Sequence, residues 1–290
     1  MKKSVDPLTI TGSTQADNQA WWERHPMTYE DWGSSNEFDE NDPASYKRVD
    51  EIFFERSRHF AHPGPGQSPF GALIDQEDVE GKRVLEIGCG MGSHAELLAR
   101  GGAQLTAVDL TETAVRRTSK RLRLSGLDGT VLQVDASTLP FPDCSFDVVW
   151  SWGVIHHSVD PAAIVTEIYR VLEPGGRAKL MVYHRRSLRY FVRGGLQEGI
   201  LRRRLRRESL HDINMSFTDG AIAHHYTRRE ARDMFGKFRD VRTAVYDGEE
   251  AAYLPGVGKR LRRIAPRQMM RVDEWLQKRC GWFLFIDATK

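Results

Sequence analysis

Three closely spaced glycines, Gly88, Gly90 and Gly92, follow an apolar run in the segment VLEIGCGMGS. Glycine lets the main chain approach a ligand closely and adopt left-handed conformations at little cost. A dinucleotide-binding loop has the pattern G-x-G-x-x-G, whose third glycine falls on Ser93 here. A P-loop needs a Lys after its last glycine, and none follows. The segment therefore predicts a strand-to-helix loop that binds a ligand through close backbone approach, without a pyrophosphate cradle.

Two acidic residues end the next two apolar runs of the chain. Asp109 closes QLTAVDL, and Asp135 closes GTVLQVDA. In an open parallel sheet, ligands bind at the carboxyl ends of the strands, so both side chains are expected beside the glycine loop. The simpler interpretation stays open for each residue, since Asp109 precedes TETAV and is a good helix N-cap, and Asp135 suits a turn or a cap.

Two pairs of adjacent histidines are the candidates for acid–base chemistry. His156 and His157 follow the fourth apolar run in SWGVIHHSVD, and His225 with Tyr226 lies in AIAHHYTRRE, next to His224. Histidine titrates near neutral pH and is the most frequent general base. We favour His157 slightly over His156, and one of the pair can instead bond the backbone of the turn. No set of His, Asp and Glu at ligand spacing accompanies them, so no metal site is predicted.

Alternating strand and helix patterns must position these residues. The predicted strands include RVLEIG, QLTAVDL, GTVLQVDA, FDVVWSW and RAKLMVYH, with helices between them. Asp160 and Pro161 open an amphipathic helix that Pro174, Gly175 and Gly176 should end. Such alternation implies a parallel sheet covered on both faces. Two later strands, DVRTAVYDG and GWFLFIDATK, complete it.

The pattern divides the chain into five parts without an internal repeat. A polar segment 1–18 is expected to be flexible, and 19–80 to form a helical cap or lid. Residues 81–184 form the ligand-binding core. A basic helical insertion over the substrate is predicted at 185–226, and the rest of the sheet at 227–290 with a helical insert at about 255–279.

The pattern ExGxGxG of Glu86 and the three glycines resembles the cofactor-binding motif of class I S-adenosylmethionine-dependent methyltransferases. Further segments resemble that family in the same order, namely Asp109, Asp135-Ala136, LPFPDCSFDVVWSWGVIHHSVDP and EIYRVLEPGGRAKL. The resemblance is close over about residues 80–185 and loose elsewhere. It implies a Rossmann-like, doubly wound, mostly parallel α/β sheet of seven strands with an antiparallel last strand, plus the helical cap and insertion.

The resemblance also implies roles for individual residues. S-adenosyl-L-methionine would be the cofactor and S-adenosyl-L-homocysteine the product. Asp109 would hold the ribose hydroxyls, Asp135 the adenine amino group, and Glu86 the glycine turn or the methionine ammonium group. The remaining residues assigned to this cofactor-binding set are Gly88, Cys89, Gly90, Gly92, Leu110, Ala136, Ser151, Trp152 and Tyr29.

An aromatic segment near the N-terminus, WWERHPMTYEDW, can be interpreted as a lid over the cofactor cleft. Its members are Trp21, Trp22, Tyr29 and Trp32, and the alternative is plain packing of a helical cap. Cys89 lies within the glycine loop, where a small side chain is the simpler explanation because no neighbouring base is identifiable. The chain has three cysteines and no CxxC pair, so neither a disulfide framework nor a zinc site is predicted.

The segment 185–210 is the one strong charge asymmetry, with nine arginines and two glutamates. Three interpretations of this segment remain open. It forms a solvated helical face, it recognises an anionic acceptor, or it contacts RNA or a membrane surface. Leucine and isoleucine at 196, 200, 201 and 205 form a helical apolar stripe. No RNA-binding module pattern accompanies the segment, so nucleic acid is not an expected partner.

These features favour a methyltransferase acting on a small molecule, such as a secondary metabolite, a quinone-like compound or a prenyl or anionic compound. A methyltransferase for RNA or protein is the first alternative, but SWGV stands where many such enzymes carry [ND]PP[YF]. A non-catalytic cofactor-binding partner protein is the second. Catalysis would take place near His157, His156, His225 and Tyr226. The sequence does not decide whether the chain forms a homodimer.

Bulk composition limits where the chain works. It has 290 residues and a net charge of +2. No apolar run approaches the roughly 20 residues of a membrane span. The basic N-terminus lacks the apolar core of a signal peptide, so a cytoplasmic location is expected.

Overall fold

A computed structural model of the chain describes residues 14–28, 38–61, 69–246 and 278–290, with the single positions 264, 272, 275 and 276. In these residues eight strands belong to one sheet. They are β1 Arg83–Ile87, β2 Gln104–Asp109, β3 Thr130–Gln133, β4 Phe146–Trp152, β5 Leu172–His184, β6 His225–Tyr226, β7 Arg239–Tyr246 and β8 Phe283–Thr289.

Seven of the strands follow the order β3-β2-β1-β4-β5-β8-β7, and β6 pairs with β5 off this path. The pairs among β1 to β5 are parallel, whereas β8 is antiparallel to both β5 and β7. The predicted Rossmann-like sheet with an antiparallel last strand is confirmed. The two-residue strand β6 was not predicted, because so short a strand has no alternating pattern to detect.

Helices cover both faces of the sheet. The α-helices are α1 Gln15–Arg24, α2 Pro43–Ala61, α3 Gln76–Val79, α4 Ser93–Arg100, α5 Glu112–Leu124, α6 Pro161–Val171, α7 Leu210–Met215 and α8 Arg228–Met234. A π-helix spans Arg189–Leu201, and short 3-10 turns span Ile155–His157 and Arg204–Arg206. None of the helices in the described part of the chain is long and apolar enough to cross a membrane.

The strand β1 shows how the core is divided. Its residues from Val84 to Ile87 are all buried, as expected for a parallel strand covered on both faces. Successive side chains of a strand point to opposite faces. Accordingly, Leu85 belongs to the apolar cluster that includes Ile168 of α6, and Val84 belongs to the cluster that includes Leu98 of α4.

Local signals set the boundaries of α6. Asp160 is its N-cap, with a carboxylate that accepts a hydrogen bond from the Ala163 N–H at 2.9 Å, as predicted. The helix ends at Val171, before the expected stop at Pro174-Gly175-Gly176, and those three residues lie in β5. Proline disfavours helical backbone at the residue before it, so the helix must end ahead of Pro174.

At the N-terminal end, α1 begins at Gln15, inside the segment that was expected to be flexible. The Thr14 side chain and Asp17 form a capping box that starts this helix. Most of the helical insert expected at about 255–279 lies outside the described residues.

Candidate active site

A cavity of about 410 Å³ lies at the carboxyl ends of β1, β2 and β4. One end is lined by the glycine loop and by residues that follow β2 and β3, among them Gly88, Gly90, Asp109 and Asp135. The other end is lined by residues that follow β4 and by parts of the insertion. The fold thus brings together residues from distant segments of the sequence at the strand ends, where ligands bind in open α/β sheets.

The glycine loop lines the cavity through Gly88, Cys89 and Gly90. Gly88 has φ +81°, and a Cβ there would lie 2.2 Å from the Val154 side chain. Gly90 has φ +52° and nothing within 4 Å of an added Cβ, so its backbone borders open space. Gly92 does not line the cavity. A Cβ at Gly92 would meet Arg121 Cδ at 3.0 Å, so this glycine permits close packing of α4 on α5.

Asp109 lines the cavity and supports the loop at the same time. Its Oδ2 accepts a hydrogen bond from the Gly90 N–H at 3.0 Å, and its Oδ1 accepts from the Thr111 N–H at 2.9 Å. Burial raises the pKa of this carboxyl, while these donors act in the opposite direction. The Thr111 hydroxyl also donates to Oδ1, at 2.8 Å. Each carboxylate oxygen has two acceptor sites, so Oδ2 keeps one of them for a hydroxyl group of a ligand. Leu110 lines the cavity beside it.

Asp135 and Ala136 line the same end of the cavity. Asp135 Oδ1 accepts from the Ser137 N–H at 2.9 Å, and its Oδ2 accepts from Gln15 Nε2 of α1 at 2.9 Å. Gln19, one turn later, donates to the Leu110 carbonyl oxygen at 3.0 Å. Sequence reasoning missed these contacts of α1.

Glu23 extends the same face of α1, because Gln15, Gln19 and Glu23 are four residues apart. The Glu23 carboxylate accepts from the N–H groups of Glu112 and Thr113, each at 3.0 Å, and so caps α5. The three contacts fix α1 across the ends of β2 and β3. The polar residues at four-residue spacing were the available signal in the sequence.

Asn18 is a further residue of α1 that sequence reasoning missed. It lines the cavity and is 3% exposed. Its Oδ1 atom is buried without a hydrogen-bond partner among the described residues, and so is the Oε1 atom of Gln15. Buried carbonyl oxygens of this kind are acceptors for a donor that this part of the chain does not supply. The adenine amino group and ribose hydroxyls of S-adenosylmethionine are such donors.

One ring of the predicted aromatic lid borders the cavity. Trp22 lines the cavity, and its ring makes an edge contact with the His157 ring at 5.0 Å between centroids. Trp21 does not line the cavity; its ring stacks on His25 at 4.5 Å. Tyr29 and Trp32 lie outside the described residues.

Glu86 is buried and does not line the cavity, and its Oε2 atom has no hydrogen-bond partner among the described residues. Burial, aided by the negative charge of Asp109, raises its pKa to about 8. A cation bound in the cavity would favour the ionised form. Burial also raises the pKa of the Cys89 thiol, which therefore stays protonated and is a poor nucleophile.

Of the two residues assigned at the end of β4, only Trp152 lines the cavity. Ser151 is 1% exposed and points away, since successive side chains of a strand alternate between faces. The Trp152 ring stacks on Trp150 at 5.8 Å, which fixes the wall of the cavity.

His157 is the one predicted acid–base residue that lines the cavity. Its Nδ1 atom lies 2.6 Å from the Ile222 carbonyl oxygen. A carbonyl oxygen only accepts, so Nδ1 carries the proton and Nε2 holds the lone pair. Burial lowers the pKa of His157 to about 4, although the bond to Ile222 acts in the opposite direction. The ring is therefore neutral near pH 7.

His156, His225 and Tyr226 do not line the cavity, which corrects their assignment beside His157. Both ring nitrogens of His156 and of His225 are buried without hydrogen-bond partners among the described residues. The adjacent residues His156 and His157 share a 3-10 turn, and its geometry directs their rings differently. Tyr226 pairs with His184 in the sheet. His224 Nε2 bonds the Ser158 carbonyl oxygen at 3.1 Å.

The far end of the cavity has a mostly aromatic wall. Besides Trp22 and Trp152, it includes Tyr183, Trp282 and Phe283. Burial raises the pKa of the Tyr183 hydroxyl.

Arg189 and Asp219 add charges to this end of the cavity. The Arg189 guanidinium lies 4.5 Å from the centre of the Trp282 ring, and its Nε atom is buried without a hydrogen-bond partner in the part of the chain that the structure describes. Apart from the arginine-rich composition around Arg189, no pattern in the sequence pointed to these two residues. In the described part of the chain, no three His, Cys, Asp or Glu side chains are close enough to hold a metal ion.

Comparison with sequence families agrees with this geometry. Residues 85–180 match a family described as "Methyltransferase domain". The match begins in β1 and ends in β5, so it contains the glycine loop, both aspartates and His157.

Curated relatives match the same part of the chain. A 27-O-demethylrifamycin SV methyltransferase of Amycolatopsis mediterranei is 39% identical over 34% of this chain and 38% of its own length. A fatty-acid O-methyltransferase of Mycolicibacterium smegmatis is 44% identical over 35% of this chain and 37% of its length. A ubiquinone biosynthesis O-methyltransferase of Xanthomonas oryzae is 40% identical over 37% and 46%. The chain thus spans less than half the length of these relatives.

Solved structures share the fold at low sequence identity. A SAM-dependent methyltransferase from Aquifex aeolicus has a TM-score of 0.50 at 16% identity, covering 86% of this chain and 98% of that chain. Phosphoethanolamine N-methyltransferase 2 of Haemonchus contortus, in complex with S-adenosyl-L-methionine, has a TM-score of 0.51 at 18% identity, covering 84% and 58%. Residues 85–180 are thus similar in sequence to a methyltransferase domain, and the described residues have the fold of S-adenosylmethionine-dependent methyltransferases.

Proposed function

We propose that the protein transfers a methyl group from S-adenosylmethionine to a small-molecule acceptor with a largely apolar body. The observation that carries the proposal is a single cavity that joins the glycine loop to an aromatic-lined end containing His157. Its volume of about 410 Å³ suits small ligands. By their names, the relatives above are methyltransferases of a demethylrifamycin, of fatty acids and of ubiquinone biosynthesis, which supports a small molecule as acceptor.

The two ends of the cavity have different tasks in this proposal. Asp109, Asp135 and Asn18 bind the nucleoside part of the cofactor, and the backbone at Gly88 and Gly90 borders it. When bound, S-adenosylmethionine supplies an electrophilic methyl group on a sulfonium. The aromatic side chains hold the acceptor in line and exclude water, and alignment of this kind supplies most of the rate enhancement.

His157 removes a proton from an acceptor that arrives with an O–H or N–H group. Its Nε2 lone pair accepts the proton, while the Nδ1–H bond to Ile222 holds the ring. The proton therefore moves from the acceptor to Nε2 as the nucleophile attacks. Aliphatic acceptors with weakly acidic hydroxyls need this base most, because they are not ionised near neutral pH.

The test is transfer of labelled methyl from S-adenosylmethionine to compounds in a lysate of the source cells. We expect the label in the organic-soluble fraction, where mass spectrometry identifies the product. Label in the acid-precipitable fraction would contradict the proposal and favour RNA or protein as acceptor. Calorimetric binding of the cofactor without transfer of label would instead favour the non-catalytic partner protein.

A further inference from the structure

Large apolar side chains are exposed along one segment of the insertion. The exposed fraction is 51% for Phe191, 42% for Leu196, 61% for Ile200 and 69% for Leu201. We call these four residues the apolar stripe. Single exposed apolar residues are ordinary, but a contiguous group on one element marks an interaction surface.

The hydrogen bonding of the π-helix Arg189–Leu201 places these residues together. Bonds in a π-helix join residues five apart, so Phe191, Leu196 and Leu201 lie one above another on the same side. Ile200 flanks Leu201 on this side.

The opposite side of the helix packs on the protein. Tyr190, Gly194 and Gly199 are buried there. A Cβ at Gly194 would lie 2.3 Å from Asn214 Nδ2, so the helix cannot rotate its stripe inward without a clash. The exposure of the stripe is thus fixed by packing.

Arginines surround the C-terminal end of the stripe. Arg202 pairs with Glu198 at 2.9 Å, and Arg204 pairs with Glu208. Arg203, Arg206 and Arg207 are exposed and have no ion pair with any residue that the structure describes. An apolar stripe bordered by unpaired cationic groups is typical of a surface that lies in a lipid interface.

We propose that the apolar stripe and Arg203, Arg206 and Arg207 form a docking surface for an anionic lipid bilayer. Apolar side chains enter the boundary between headgroups and acyl chains, and the guanidinium groups bind lipid phosphates. A second copy of the chain fits this surface poorly, because a two-fold interface brings the same patch of both copies together and so gathers the unpaired arginines of both. Nucleic acid would leave the aliphatic side chains of the stripe unused.

The docking surface is joined to the cavity by one helix. The π-helix that exposes Leu196 and Leu201 begins at Arg189, which lines the acceptor end. If the proposed function holds, a docked protein receives its apolar acceptor from the lipid phase. Docking itself does not depend on methyl transfer, so the two proposals fail or hold separately.

Flotation of the full-length protein with vesicles tests the docking surface. One set of vesicles contains phosphatidylcholine alone, and the other contains phosphatidylcholine mixed with phosphatidylglycerol. We expect binding to the anionic vesicles only, weakened by added salt because the phosphate contacts are screened. Equal recovery with neutral vesicles, or no recovery with either, would overturn the proposal.

Two sets of variants separate the apolar and charged parts of the surface. The triple change Arg203→Gln, Arg206→Gln and Arg207→Gln should weaken partitioning by about fivefold per arginine. The pair Leu196→Ser and Leu201→Ser should weaken it at least about tenfold. Matched changes at exposed positions elsewhere should have no effect on partitioning. The control for the arginine variant is Lys47→Gln with Arg123→Gln and Arg229→Gln. The control for the leucine variant is Leu124→Ser with Val159→Ser.

Thermal unfolding shows whether each variant is folded. Because the substituted residues are exposed, the unfolding temperature should not change. Partitioning that falls equally with the matched changes would show nonspecific attraction and overturn the assignment of this surface. An oligomer that dissociates in the Leu196→Ser and Leu201→Ser variant, with unaltered vesicle binding, would assign the stripe to self-association instead.

Discussion

The ring of His157 is held between the Ile222 carbonyl oxygen, 2.6 Å from Nδ1, and the backbone of Gly220. A Cβ at Gly220 would lie 2.6 Å from the same Nδ1 atom. The hydrogen bond selects the tautomer, and the close backbone approach selects the position of the ring. The insertion thus determines how His157 presents Nε2 to the cavity.

Replacing His157 with Gln should lower kcat at least about hundredfold, since a positioned general base contributes that much or more. The affinity for S-adenosylmethionine, measured by titration calorimetry, should not change. Because the pKa of His157 is lowered to about 4, the acid limb of the pH–rate profile should fall below pH 5 rather than near 6.5. An unchanged kcat in this variant would remove His157 from the mechanism.

Gly220→Ala should reduce kcat by displacing the His157 ring. Gly175 provides the matched control, because it also has a positive φ, +86° against +94°, but nothing lies within 4 Å of an added Cβ. Both variants should lose about 1–3 kcal/mol of stability from backbone strain in urea unfolding. Only Gly220→Ala should lose activity, and equal activities would show that Gly220 does not position the base.

Asp109→Asn should weaken binding of S-adenosylmethionine at least about tenfold, because charge-assisted hydrogen bonds to the ligand are lost. Titration calorimetry measures the effect. Asp143→Asn is the control, since Asp143 has a side chain that is 74% exposed and does not line the cavity. Equal affinities for the two variants would exclude Asp109 from the binding site.

Asn18→Ala tests whether α1 takes part in cofactor binding. Loss of a buried acceptor for a ligand donor should weaken the affinity about tenfold, the equivalent of about 1.4 kcal/mol. Asn41→Ala changes an exposed asparagine outside the cavity and should have no effect. If Asn18→Ala binds the cofactor like the parent protein, α1 covers the cavity without contacting the ligand.

Folding stability should fall as the pH drops below about 6.5. Burial lowers the pKa of four histidines to about 3 or 4, namely His94, His157, His184 and His225. The unfolded chain binds protons at these positions below its own pKa near 6.5 and the folded chain does not. Each group therefore lowers the free energy of unfolding by about 1.4 kcal/mol per pH unit in that range.

Glu86 acts in the opposite direction, because its raised pKa of about 8 means that the folded state holds a proton which the unfolded state has lost. The contribution of Glu86 to the free energy of unfolding is complete below pH 4.5, and it disappears as the pH rises through 8. Urea unfolding at pH 5, 7 and 9 should show Glu86→Gln gaining stability over the parent protein at pH 9. A pH-independent difference between the two proteins would contradict the raised pKa.

The sequence by itself determined the succession of strands and helices along the chain, the parallel core and the cofactor motif. Those features depend on local signals: apolar runs of strand length, glycines where the backbone must be left-handed, and acids directly after strands. Because all parallel strands end at one edge, local positions alone place Asp109 and Asp135 beside Gly88 and Gly90.

Only the tertiary structure decided which residues complete the site. His156 and His157 are neighbours of the same type, and the contact of His157 with Ile222, 65 residues away, distinguishes them. Asn18 and Arg189 line the cavity because α1 and the π-helix pack across the strand ends. Contacts between distant segments leave no period or spacing in the sequence, so packing rather than pattern selects these residues.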